Sequence, residues 1–276
     1  MSQRASLDDD YGLPDSVHAE LDGPILTVTL DRPAKRNALD NATVDGFRRV
    51  FSAPPDEARC AILVAEGEHF SAGLDFSSLN ETNTFEGVLH SRNWHDAFDH
   101  LEKGRLPIIS VLKGAVIGGG LELAASTHIR IAEASCFFAL PEGTRGLFVG
   151  GGASVKVSRL MGVAAMTDLM LTGRVLDADD GHRLGLCQYL VGAEEGLAKA
   201  QELAAKIAEN SPVTNYAVLQ ALPRIAEVGP NEGLFMESLI AAVSSGSDEA
   251  KERMNAFLAG KAAKVAMAST STEGDA

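Results

Sequence analysis

The sequence predicts an α/β fold with an all-helical extension toward its C-terminal end, and three observations predict it. Short apolar or β-branched runs recur at 25–30, 60–65, 107–112, 129–132 and 136–140. Helical patterns separate several of them, and strands alternating with helices indicate layers packed on a sheet. From about Gly196 onward the β-like runs cease and helical periodicity takes over. A chain of 276 residues fits one large domain, or one core with an appendage, and can bury that core without covalent staples.

Taken in order, residues 1–12 are polar and without periodicity, so they read as a frayed terminus, as does the tail at 264–276. The α/β core is expected over 13–195 and the helical region over 196–263. A helix opens at Asp40 with a capping-type start and runs to Phe51. A long amphipathic helix is expected over 85–101, a short glycine-led one over 120–126 and an apolar one over 162–172. The extension divides into helices at 197–210, 212–221 and 231–259.

Composition removes several function classes. Lys and Arg total 24 against 38 Asp and Glu, a net charge of −14, which disfavours holding nucleic acid by phosphate neutralisation. An anionic ligand must then be met by a local basic patch. Cys60, Cys136 and Cys187 are far apart and odd in number, which argues for reduced thiols in a cytoplasm and against a disulfide framework or zinc cluster. The first residues include three consecutive acids and no apolar core, so they do not read as a secretory leader. No run approaches the ~18 apolar residues of a membrane-spanning helix.

Two glycine-rich segments carry the chemistry. Ala72-Gly73-Leu74-Asp75-Phe76 follows the strand near residue 62, and Gly118-Gly119-Gly120 follows the strand ending at Leu112. Glycines leading from a strand into a helix bring backbone close to a ligand and leave unpaired N–H groups where developing negative charge is favoured. Those are the ingredients of an oxyanion hole. The triple glycine alone fits tight helix–strand packing equally well. Neither it nor Gly150-Gly151-Gly152 has dinucleotide-binding spacing.

Glu122 falls within the glycine-led helix among Leu and Ala, and Glu142 follows Pro141 after an apolar strand. Two carboxyls facing one cavity hold a proton above the usual range and can supply an acid and a base together. The competing arrangement is an exposed Glu122 and a Glu142 paired with Arg145.

The set FSAGLD, IGGGLELA, ALPEGTRGLFVGGGASVKVSRLMG and MLTGRVLDADDGHRLGLCQYLV, with LDRPAKRNALD before it, resembles the enoyl-CoA hydratase/isomerase (crotonase) superfamily from about Ile25 to Phe257. The resemblance implies a crotonase-like spiral of ββα units with a helical C-terminal region that joins copies into a homotrimer or a dimer of trimers. It implies an acyl-CoA substrate with no separate cofactor and no metal, coenzyme A being part of the substrate. Backbone amides of Leu74 and Gly119 would hold the thioester oxygen, and Glu122 and Glu142 would be the two glutamates of the hydratases. Retention of both glutamates points to addition of water to a trans-2-enoyl-CoA. The alternatives are Δ3,Δ2-enoyl-CoA isomerisation through Glu142 alone, a hydratase-lyase or C–C hydrolase reaction, and a non-catalytic RNA-binding relative.

The same resemblance places Arg32 and Lys35, with Arg36, near the coenzyme A entrance, and Ala72, Gly73, Asp75, Phe76 and Gly118 around the ligand. Phe257 matches a C-terminal contact, whereas Lys261 is displaced by one position from the usual spacing. The segment 76–100 corresponds to the region that shapes acyl preference; Phe85, Leu89, Trp94 and Phe98 can line it, although aromatics at helical spacing are commonly core. His90, His95 and His100 recur every five residues, turning about 140° per step on a helix, so they share no face and form no metal site. His128 stands where many relatives carry Asp.

Overall fold

The computed structural model describes residues 4–78 and 82–261. Its strands are β1 (Ala5–Ser6), β2 (Val17–Asp22), β3 (Ile25–Leu30), β4 (Cys60–Ala65), β5 (Ile108–Leu112), β6 (Ala115–Ile117), β7 (Ile129–Glu133), β8 (Phe137–Ala139), β9 (Leu176–Asp177) and β10 (Tyr189–Val191). The larger sheet runs β1-β2-β3-β4-β5-β7-β10 and a small one β6-β8-β9. β2 and β3 form an antiparallel hairpin around Gly23, whose φ of 56° suits glycine, and from β3 onward the large sheet is parallel.

β4 is apolar throughout and β5 is broken only by Ser110, which bonds Thr127, as burial on both faces requires. Ala61, Leu63 and Ala65 join the main core with Phe47, Phe98 and Leu101. The alternate residues Cys60, Ile62 and Ile109 enter a second apolar layer with Ala200 and Ala204. Those alanines lie on α8 (Gly196–Ala208), so this helix completes the core. The preceding helices are α1 (Asp8–Tyr11), α2 (Asn41–Ser52), α3 (Thr84–Glu102), α4 (Gly119–Ala125), α5 (Ala153–Met161), α6 (Val163–Thr172) and α7 (Ala178–Arg183). Asp40 caps α2 by accepting from Thr43 N at 2.9 Å, and Asn83 caps α3 by accepting from Glu86 N at 3.0 Å.

After α8 come α9 (Pro212–Ile225), α10 (Pro230–Gly246) and α11 (Asp248–Leu258). The chain divides into two compact units, one through Gln220 and one from Ala221. Three expectations need correction. Residues 4–12 are ordered structure: β1 pairs with β2, Leu7 N donates to Ala19 O at 2.8 Å, and the Asp8 carboxylate takes the Ala19 amide at 2.8 Å. Their polar composition hid this because backbone pairing and one carboxylate hold them, with only Leu7 and Tyr11 packing against the core. The helix expected over 231–259 is two helices, because Ser247 is extended and its side chain caps the next one through Ala250 N. The strands β2, β6, β9 and β10 add to those expected; most are too short for a period to register. The tail at 264–276 lies outside the described residues.

Candidate active site

The site forms where the loop after β4 is stitched to β6. Ser71 N donates to Ala115 O at 2.9 Å and Ile117 N to Ser71 O at 3.1 Å, laying Ala72-Gly73-Leu74 beside the triple glycine. Gly73, at φ 89°, comes so close that a Cβ there would lie 2.6 Å from Ile117 O and 3.1 Å from Gly119 N; a Cβ on Gly119 would lie 3.3 Å from Leu74 N. The amides of Leu74 and Gly119 therefore sit together, and neither meets an acceptor among the described residues. Gly119 opens α4, whose first amides have no intrahelical partner. The packing reading of the triple glycine also holds, at a different residue: a Cβ on Gly120 would strike Ser71 O at 2.5 Å.

Glu122 and Glu142 reach the same place. Both line a cavity of about 430 Å³ together with Gly73, Leu74, Gly118 and Gly119. Glu122, on α4, is 3% exposed; its Oε1 accepts from Gly151 N at 2.8 Å and Ala153 N at 3.1 Å, at the start of α5. Glu142 follows β8, its Oε1 packed so near Gly118 that a Cβ there would lie 2.5 Å away. Its Oε2 is buried without a hydrogen-bond partner among the described residues. The competing arrangement fails on both counts, since Glu122 is buried and no ion pair joins Glu142 to Arg145 among the described residues. Arg145 instead lies 5.9 Å from the Phe76 ring centroid.

Burial drives the electrostatics. Loss of water raises the Glu122 carboxyl to about 7, against the lowering by the Ala153 and Gly151 amides, and the Glu142 charge adds to the rise. Burial also raises Glu142, partly offset by its own backbone amide and by Arg145. Such a pair retains a proton near neutrality. Two amide donors favour the anion at Glu122, while the unpartnered Oε2 favours the proton at Glu142.

The family model for enoyl-CoA hydratase/isomerase matches residues 20–264. The chain belongs to the enoyl-CoA hydratase/isomerase family. It is 32% identical to a short-chain-enoyl-CoA hydratase of Clostridium acetobutylicum over 88% of this chain and 94% of that protein, and 33% identical to the enoyl-CoA hydratase EchA19 of Mycobacterium tuberculosis over 88% and 93%. A solved Rhodopseudomonas palustris protein, provisionally named an enoyl-CoA hydratase, is 51% identical with a TM-score of 0.88, covering 90% of this chain and 96% of its own. The spiral α/β fold expected from the motifs is thus the fold observed.

Within this member of the enoyl-CoA hydratase/isomerase family, other residues fall in varied places. Ala72, Gly73, Leu74, Phe76, Gly118 and Gly119 line the cavity. Arg32 and Lys35 are not among the lining residues; both bind the Asp75 carboxylate, at 2.8 and 2.9 Å, and with Ser77 they hold Asp75 far below the usual carboxylate range. Lys35 does border an adjoining groove of about 490 Å³ with Arg36, Asp75 and Arg145. Phe257 lies on α11 in the second unit with an exposed ring. His128 is half-buried: Nδ1 accepts from Ile108 N and Nε2 donates to Glu102 O, and loss of water around the ring lowers it to about 4. Among the described residues no group of three His, Cys, Asp or Glu is placed to hold a metal.

Sequence reasoning missed Gly151 and Ala153 as holders of Glu122, and Lys156 behind them. The signal was present in Gly150-Gly151-Gly152 opening a helix, the same glycine-to-helix device as at Gly119. Trp94 is both core and wall: 3% exposed, it lines the cavity, stacks on His90 at 5.6 Å and presses on Gly119 and Gly151.

Proposed function

We propose that the protein adds water across the 2,3-double bond of a trans-2-enoyl-CoA thioester, as its hydratase relatives are named for doing. What carries this reading is the meeting of two uncommitted amides and two carboxyls raised by burial in one apolar cavity. The amides of Leu74 and Gly119 grip the thioester oxygen as enolate charge develops, each donor worth about 3–4 kcal/mol in such sites. The Glu122 carboxylate takes a proton from water as its oxygen attacks the β-carbon. The Glu142 carboxyl gives its proton to the α-carbon, which yields a 3-hydroxyacyl-CoA. The reaction is redox-neutral, so it calls for no electron carrier and no cofactor beyond the coenzyme A already on the substrate.

The groove beside Leu74 suits the coenzyme A diphosphate. Arg36 and Arg145 border it and form no ion pair among the described residues, so they are the cations free to meet phosphate. Lys35 contributes there while held by Asp75. Assembly as a homotrimer or dimer of trimers is supported by Leu234, Phe235, Leu239 and Val243, all exposed on α10. Three buried free cysteines suit a reducing cytoplasm, and the charge of −14 suits a protein that leaves nucleic acid alone. No helix among the described residues is long and apolar enough to cross a membrane.

The test follows the absorbance of the conjugated enoyl thioester with crotonyl-CoA, 3-hexenoyl-CoA and cinnamoyl-CoA. Loss of absorbance from crotonyl-CoA marks hydration, and a gain from 3-hexenoyl-CoA marks isomerisation instead. Glu122→Gln and Glu142→Gln should each lower hydration at least about 100-fold; full turnover in either variant excludes the paired-carboxyl mechanism.

A further inference from the structure

Behind Glu122 lies a buried cation that the reaction does not touch. Lys156, on the first turns of α5, is 8% exposed. Its Nζ donates to Ser126 Oγ at 2.9 Å and pairs with Glu102 Oε2 at 3.0 Å, and it sits 6.0 Å from the Phe98 ring centroid. Ser126 Oγ in turn donates to the Glu122 carbonyl at 2.8 Å, which ties the ammonium to the segment bearing that glutamate. The Lys156 stem passes under Gly152: a Cβ there would meet Cε at 3.3 Å and Cδ at 3.6 Å. Gly152, at φ 113°, is the link between the two amides that grip Glu122 Oε1.

We infer that Lys156 is a positioning residue whose buried ammonium lowers the pH range in which Glu122 works as a base, with Glu102 as its counterweight. This rests on the hydratase reading for the role of Glu122, not for the electrostatics. A charge in a water-poor layer acts strongly on neighbouring titrating groups. The groups facing this pair are Glu142 across the cavity, backed by Arg145, and Glu102, His90 and His95 from α3. Arg92 and Asp99 also act on His95, and His128 lies against the Glu102 carbonyl. Glu142 opposes the anion at Glu122, Lys156 favours it, and Glu102 offsets part of Lys156.

Opposite displacements distinguish this role from a structural one. In profiles of kcat/KM against pH, Lys156→Met should move the acid limb upward by about one pH unit. Lys156→Arg should leave it near the parent position, and Glu102→Gln should move it downward. A Lys156→Met limb that stays put while activity or stability drops evenly at every pH overturns the inference, as does an upward shift in Glu102→Gln. The Glu122 carboxyl is also titrated directly by ¹³C NMR in the same proteins, where the same two displacements are expected and an unmoved titration overturns them. Absence of turnover with every enoyl-CoA removes the hydratase reading alone, because the NMR titration still decides this one. Should Lys156→Met fail to fold, the Glu102→Gln titration decides alone: a downward shift supports the inference and no shift overturns it.

Discussion

Gly151 gives its amide to Glu122 at 2.8 Å, and a methyl group on Gly151 would collide with that same carboxylate, 2.6 Å from Oε2. Gly151→Ala should therefore push Glu122 off its amide donors while leaving the fold largely intact. We expect kcat/KM to fall by about 10–100-fold, in line with the cost of misplacing a reacting group by about 1 Å. Steady-state kinetics alongside thermal melting checks it; parent-like kinetics would show that the turn tolerates the methyl group.

Glu122 also marks the stability of the molecule. Its carboxyl sits near 7 in the folded protein and near 4.5 when unperturbed, so between those values the folded state binds the extra proton. The stability linked to this group is complete below the unfolded value and drains away as pH rises through about 7. Glu122→Gln should flatten that decline. The measurement is urea unfolding from pH 5 to pH 8 in both proteins, and parallel curves would refute it.

At the other end of the chain, Asp8 accepts from the Ala19 amide and bonds the His18 ring, each at 2.8 Å. Asp8→Ala should cost about 1 kcal/mol, since it takes the acceptor from the Ala19 amide, while His18 is part-exposed and keeps Asp31 at 3.4 Å. That bond is also the main cause raising His18 above its usual value. The associated stability is complete at pH below His18's unfolded value and is lost as pH rises through the folded one. The deficit of Asp8→Ala should thus be largest on the acid side, as chemical denaturation at several pH values would reveal.

Trp94 is wedged so that Cβ atoms on Gly119 and Gly151 would lie 2.8 and 3.1 Å from its ring. Trp94→Ala should cost about 3–5 kcal/mol through the cavity it leaves. It should also raise the relative kcat/KM for bulkier acyl groups. Competition between crotonyl-CoA and a longer enoyl-CoA, with a melting curve, tests both; an unchanged ratio would place the acyl group away from the indole.

Much of this was readable in the residues themselves. The runs at 60–65 and 108–112 registered because strands buried on both faces are almost wholly apolar, and the motif glycines registered because few other residues can follow such backbone. Glu122 and Glu142 stood out as acids in apolar company. What did not show was partnership across the chain. Arg32 and Lys35 read as a phosphate patch until the structure set Asp75, some forty residues on, between them. Lys156 escaped sequence reasoning altogether, because nothing local announces that Glu102 and Ser126 will enclose it. The first strand escaped for the same reason: Ala5 and Ser6 owe their order to β2.

The clamp on Asp75 has a mechanical corollary. Leu74 precedes it, and Leu39 N and Asp75 N lock the neighbouring carbonyls in a short bridge of backbone at 2.8 Å on either side. The Leu74 peptide is thus braced from two directions, which is what the proposed receptor for a thioester oxygen requires if it is to act without rearrangement. Arg32, which is not among the cavity-lining residues, anchors that brace through Asp75 and the Ala38 carbonyl.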